Sequence, residues 1–141
     1  LPHRIEYITE YKGITYYNDS LATTVDAAVA AINSFDEPLL LIAGGASKGA
    51  DFSALGTCIA ASSVRAVLLI GDEAVRIEAA IRQVGAQTAV RRCRDLREAI
   101  TIARSTAQAG DAILLSPACA SFDQFSSYAE RGELFKQLVA H

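Results

Sequence analysis

Three segments of the chain gather residue types that can hold an anion. They are Tyr17-Asn18-Asp19-Ser20-Leu21-Ala22-Thr23-Thr24, Gly44-Gly45-Ala46-Ser47-Lys48-Gly49-Ala50-Asp51-Phe52 and Ser116-Pro117-Ala118-Cys119-Ala120-Ser121-Phe122-Asp123. In the middle one, three glycines let backbone N–H groups approach a ligand closely, and Lys48 adds a positive point charge. Lysine is scarce here, at positions 12, 48 and 136 only. The loop is neither a Walker A motif nor GxGxxG, because the lysine precedes the last glycine and no Lys-Ser/Thr pair follows. Two readings stay open: a ligand-pairing ammonium, or a solvated lysine on a flexible loop. In the outer segments, Thr23-x-x-Asp26 and Ser121-x-x-Gln124 read as capping boxes at helix starts. A helix N-terminus is also an anion site, with free N–H groups and partial positive charge. If the fold brings Thr23, Lys48 and Ser121 together, two helix N-termini and one ammonium would suit a small dicarboxylate.

Other candidates carry less. Asp19 reads either as a cap for the following turn or as a partner for a ribose hydroxyl. Asp51 reads as a helix cap or as a partner for Lys48. Cys119 reads as a small buried thiol. The basic stretch Arg91–Arg97 has no interleaved aromatics and reads as a solvated surface. The two histidines, His3 and His141, lie at opposite ends, so no metal centre is expected. No residue is assigned as a covalent nucleophile or as a catalytic acid or base.

These loops need strands and helices to aim them. Residues 5–17 alternate apolar and polar around Lys12-Gly13, which reads as a β-hairpin. The apolar runs 39–43, 64–70 and 112–115 read as strands covered on both faces, with a weaker strand at 88–90. Apolar stripes at helical spacing mark 24–34, 73–84 (Ile77, Ala80, Ile81, Val84) and 94–108 (Leu96, Ile100, Ala103, Ala107). Residues 53–61 and 124–139 complete the helices. The alternation predicts an α/β, Rossmann-like fold, its sheet mostly parallel with helices on both faces and an N-terminal hairpin. In such sheets ligands sit beyond the carboxyl ends of the strands, where all three segments fall.

Composition narrows the partners. At 141 residues, 51% hydrophobic and 21% charged, the chain suits one domain and is too apolar for disorder. A net charge of −3 gives no electrostatic footprint for nucleic acid. No apolar run approaches the roughly 18 residues of a membrane span, and no leader is visible. Cysteines 58, 93 and 119 form no CxxC pair and read as reduced thiols of a cytoplasmic protein. Methionine is absent, and the opening Leu1-Pro2-His3-Arg4 reads as a hinge into a domain, so a piece of a longer protein is expected.

The blocks LPHR, YNDSLATT, LIAGGASKGADF and LLSPACASFDQFSSYAERGELF together resemble the C-terminal domain of the D-glutamate-adding Mur ligases, over essentially residues 1–141. Sibling ligases and folylpolyglutamate synthetases generally carry histidine within the segment matching residues 19–24, where this chain has DSLATT. The resemblance implies the last of three domains of a bacterial, cytoplasmic enzyme of peptidoglycan synthesis. The UDP-binding and central ATPase domains would lie outside the chain, and this domain alone would be inactive. It also implies ATP and Mg2+, bound mainly by the central domain, and UDP-N-acetylmuramoyl-L-alanine as acceptor, in a monomeric protein.

By that resemblance Thr23, Lys48, Ser121, Phe122 and Tyr128 match the D-glutamate pocket, the last two through backbone. Arg4 and Asp19 match positions that touch ATP. Leu21 stands where the family commonly has a nucleotide-contacting lysine, Thr24 replaces a common asparagine, and Tyr128 a common phenylalanine. Two other readings are a related ligase for a different amino acid, and a stand-alone Rossmann-like binding module.

Overall fold

The computed structural model describes residues 1–140; His141, the second histidine considered above, lies outside the described residues. Strands β1 (Glu6–Tyr11) and β2 (Ile14–Asn18) form an antiparallel hairpin. Lys12 and Gly13 between them have φ of 54° and 80°, the positive values that a tight two-residue hairpin turn requires. The chain continues through α1 (Val25–Ile32), β3 (Leu39–Gly44), α2 (Ser53–Ala61), β4 (Val64–Ile70), α3 (Ala74–Gln83) and β5 (Ala89–Arg92). It ends with α4 (Leu96–Thr106), β6 (Ala112–Leu115) and α5 (Tyr128–Val139). The six strands lie in the order β1-β2-β6-β3-β4-β5, and every pair except β1–β2 is parallel.

The apolar runs are continuous because both sheet faces are covered. Leu39, Leu41, Val67, Leu69 and Leu114 pack with α1, α2 and α3 on one face. Their neighbours Leu40, Ile42, Leu68, Ile113 and Leu115 pack with α4 and α5 on the other. Period-two alternation thus divides one apolar strand between two cores. On α3, Ile77 and Ile81 are buried as the stripe requires, whereas Val84 is 44% exposed because it lies one residue past the helix end.

Two helix starts differ from the expected ones. Thr24, not Thr23, caps α1: its backbone is extended and its hydroxyl accepts the Ala27 N–H at 3.2 Å. The last helix begins at Tyr128 rather than near 124. Its cap is Ser127, whose hydroxyl accepts the Glu130 N–H at 3.1 Å, while Glu130 reaches back to Ser126. Ser127-x-x-Glu130 makes the capping pattern, and Ser121 instead opens a turn in which its carbonyl accepts from Gln124 and Phe125.

Candidate functional site

The chain leaves β2 and β3 toward helices on one face and leaves β6, which lies between them, toward α5 on the other. A crevice opens at such a reversal. Backbone hydrogen bonds draw the three loops together there. Ala118 N–H donates to Ala22 O, Gly44 N–H to Pro117 O, and Ala46 and Ala120 exchange a pair, each bond 2.9 Å long.

The result is a cleft of about 420 Å3 with walls from all three loops: Thr23, Thr24, Lys48 and Asp51 on two of them, Ala118 and Ala120 on the third. Thr23, relieved of capping, and Lys48 both line it. Lys48 is exposed and makes no ion pair among the described residues. Asp51 does not pair with it; its carboxylate accepts from the Ser53 hydroxyl and N–H, which holds its pKa low and closes the turn into α2. Ala118, at φ 61°, takes a left-handed conformation uncommon for a residue with a side chain, and this strain sits in the cleft wall.

The other substrate-site candidates do not line the cleft, so the expected convergence of Thr23, Lys48 and Ser121 holds for the first two only. Ser121 is buried, 2% exposed, and is not among the lining residues. Phe122 is 74% exposed. The Tyr128 and His3 rings meet at 83°, and the Tyr128 carbonyl accepts the Ser20 hydroxyl at 2.7 Å.

Arg4 and Asp19 share a second, smaller cavity of about 220 Å3 with Leu21 and Ala22. Asp19 is buried, its carboxylate accepting Ile5 N–H at 2.9 Å and the Ser116 hydroxyl at 2.7 Å. Of its two readings, neither bond is to its own turn; Asp19 instead ties the entry segment, where Ile5 has φ 43°, to the end of β6. Burial raises its pKa above the ordinary 3.8, against the lowering effect of both hydrogen bonds and of Arg4. A carboxyl with a raised folded-state pKa contributes stability that is fully present below the unfolded value and lost as pH rises through the folded one. A carbon NMR titration should therefore place the Asp19 midpoint above 3.8. A midpoint at or below that value would show that the two hydrogen bonds outweigh burial.

Sequence reasoning missed the residues that brace the loops. Glu73 and Arg76, at the start of α3, form an ion pair and grip both sides of Lys48: Ser47 donates to Glu73, and Arg76 donates to Ala50 O. The Arg76 guanidinium also stands 5.1 Å from the Phe52 ring. Arg131 of α5 is 1% exposed and donates to the Ser20 hydroxyl, Ser20 O and Cys119 O at 2.8–3.1 Å. Its one signal in the sequence is Gly132, where a Cβ would lie 2.2 Å from His3 Nδ1, so that α5 can seat deeply against the entry segment. Burial pushes the Cys119 thiol up to about 12, in keeping with an inert core position. Among the described residues, no three His, Cys, Asp or Glu side chains gather into a metal-holding group, and no helix is long and apolar enough to cross a membrane.

An open α/β sheet with a cleft at its reversal point, edged by the Lys48 ammonium, is the arrangement in which α/β domains hold ligands. The chain belongs to the Mur ligase family: the glutamate ligase domain of the Mur ligases matches residues 3–119. It is 49% identical over 142 residues to the UDP-N-acetylmuramoylalanine–D-glutamate ligase of Marinobacter nauticus, covering 99% of this chain and 31% of that protein. The chain thus spans about a third of the length of such relatives. The structure resembles the murein peptide ligase of Psychrobacter arcticus (TM-score 0.67, 17% identity, 95% of this chain and 30% of that one). It also resembles a bifunctional folylpolyglutamate and dihydrofolate synthase from Yersinia pestis, solved with AMPPNP and a manganese ion (TM-score 0.63, 17% identity, 99% and 32%).

Proposed function

We propose that this chain is the amino-acid-binding domain of a ligase that adds D-glutamate to UDP-N-acetylmuramoyl-L-alanine. The observation that carries the reading is the unpaired Lys48 ammonium on the same cleft as the Thr23 hydroxyl, at the carboxyl edge of the sheet. D-glutamate arrives as a dicarboxylate whose amine must point at an activated acyl group. Lys48 pairs with one carboxylate, and Thr23 donates a hydrogen bond to it or to the second. In the same reading Ser121 and the backbone of Phe122 and Tyr128, none of which lines the cleft in this structure, complete the pocket when substrate is bound. Fixing both carboxylates removes rotational freedom before reaction, a contribution of up to roughly 7–11 kcal/mol for well-oriented partners.

ATP would supply the phosphoryl group that activates the acceptor carboxylate, with a divalent metal such as Mg2+ held outside this chain. The Arg4–Asp19 cavity fits an edge contact to a nucleotide and is too small and too apolar to be a whole nucleotide site. Asp19 anchors the segment that carries Arg4, and Arg4 offers the charge. Leu21 lends this cavity apolar surface and no cation.

A substrate screen on the full-length ligase tests the reading. Amino-acid-dependent phosphate release should appear with D-glutamate and stay at background with L-lysine, meso-diaminopimelate, L-alanine and folate. Comparable release with any of those four would assign the cleft to a substrate other than D-glutamate.

A further inference from the structure

Arg131 raises a question that the cleft alone does not answer. Its guanidinium is buried, and two of its nitrogens are occupied by one hydroxyl and two carbonyl oxygens, none of which bears a formal charge. The third, Nη1, has no hydrogen-bond partner. No carboxylate among the described residues forms an ion pair with it. Asp123 is the acidic side chain whose charge acts on it, from beyond ion-pair distance. A buried charge without a counter-charge in contact is costly, and a buried N–H without an acceptor adds to that cost. Nη1 would stand 3.4 Å from a Cβ on Gly45, and the Cys119 carbonyl that it shares the guanidinium with lies between Ala118 and Ala120 of the cleft wall. The positive charge is thus stored directly behind the surface that faces the ligand.

We propose that Arg131 is a positioning residue for the acidic amino acid, its charge, which has no carboxylate in contact, being balanced across the cleft wall when the substrate's carboxylates arrive. The inference rests on the reading of the cleft given above. Burial already lowers the Arg131 pKa to about 10, which leaves it fully charged at neutral pH. The apo domain carries the cost, and the dicarboxylate relieves it, so binding selects for negative charge without a direct contact. Ser20 and Cys119 hold the guanidinium in place, and through the same bonds two of the three loops keep their spacing.

The test is steady-state kinetics and thermal unfolding of the full-length ligase carrying R131M, R131K and, in parallel, K48A. R131M keeps the volume and removes the charge. It should raise the D-glutamate KM roughly tenfold or more and leave the ATP KM unchanged, with a Tm lowered by several degrees because the buried Ser20 and Cys119 oxygens lose their donor. R131K, which restores the charge without the fork, should return the D-glutamate KM to within about threefold of wild type. An R131M enzyme with an unchanged D-glutamate KM, or one in which the KM values for D-glutamate and ATP rise together, overturns the proposal. So does an R131K enzyme as impaired as R131M. If R131M does not fold, R131K and R131Q decide: near-wild-type KM for lysine with impairment for glutamine supports the charge, and any other order rejects it. A raised D-glutamate KM in K48A beside an unchanged one in R131M rejects the role of Arg131 alone. No change in K48A rejects the cleft reading itself.

Discussion

Replacing Lys48 by alanine in the full-length ligase should raise the KM for D-glutamate by roughly 10- to 100-fold and lower kcat as well. The magnitude follows from removing a charge-assisted hydrogen bond, worth about 1.5–3 kcal/mol, with each 1.4 kcal/mol a factor of ten. The fall in kcat follows because a substrate held by one carboxylate instead of two samples orientations in which its amine misses the acyl group. The loop should survive the change. Its shape is kept by Ser47, Ala50 and Phe52 against Glu73 and Arg76, not by the lysine side chain. Thermal unfolding of the variant should therefore match the wild type while its kinetics do not. Wild-type kinetics would remove Lys48 from the site.

Gly44→Ala is the substitution with the largest expected effect on stability. Gly44 ends β3 at φ 113°, and a Cβ there would stand 2.0 Å from the Ile70 carbonyl oxygen of the paired strand. Backbone strain and overpacking each cost roughly 1–3 kcal/mol, so their sum is about 3 kcal/mol or more, a fall in Tm of roughly 10 °C. Gly85→Ala is the control. Gly85 has φ 78° with no heavy atom within 4 Å of its added Cβ, so it carries the dihedral cost alone, about 1 kcal/mol. Calorimetry on the two variants separates the contributions. Equal losses would mean that the β3–β4 pair moves apart without penalty.

How much of this was legible in the sequence depends on how local the cause is. The strands at 39–44, 64–70 and 112–115 were readable because burial on both faces leaves them apolar but for Arg65, near the start of β4, which pairs with Asp111. Their order was not readable. The three runs look alike, and nothing in Ala112–Leu115 says that it inserts between β2 and β3. The helix caps were off by one residue at Thr24 and by six at Ser127, because hydroxyl-rich loops offer several candidates. The extended backbone that selects one of them comes from how the loop is tied down. Of the proposed site, Thr23 and Lys48 were visible through residue type and position relative to a strand end. Asp51 left two readings open, and the hydrogen bonds to Ser53 decide between them. Arg131 was not visible, since flanking Glu130 and Glu133 make its segment read as a solvated helix face. Only the depth at which α5 seats turns that side chain inward.

The insertion of β6 has a consequence for how the domain comes into being. Neither β2 nor β3 has its permanent partner on that side until residues 112–115 are in place. On the ribosome, everything up to residue 115 must emerge before the sheet can close and its loops can meet. Until then two strand edges stand open to mispairing, and the segment synthesised late acts as the keystone of a cleft whose other stones were laid early.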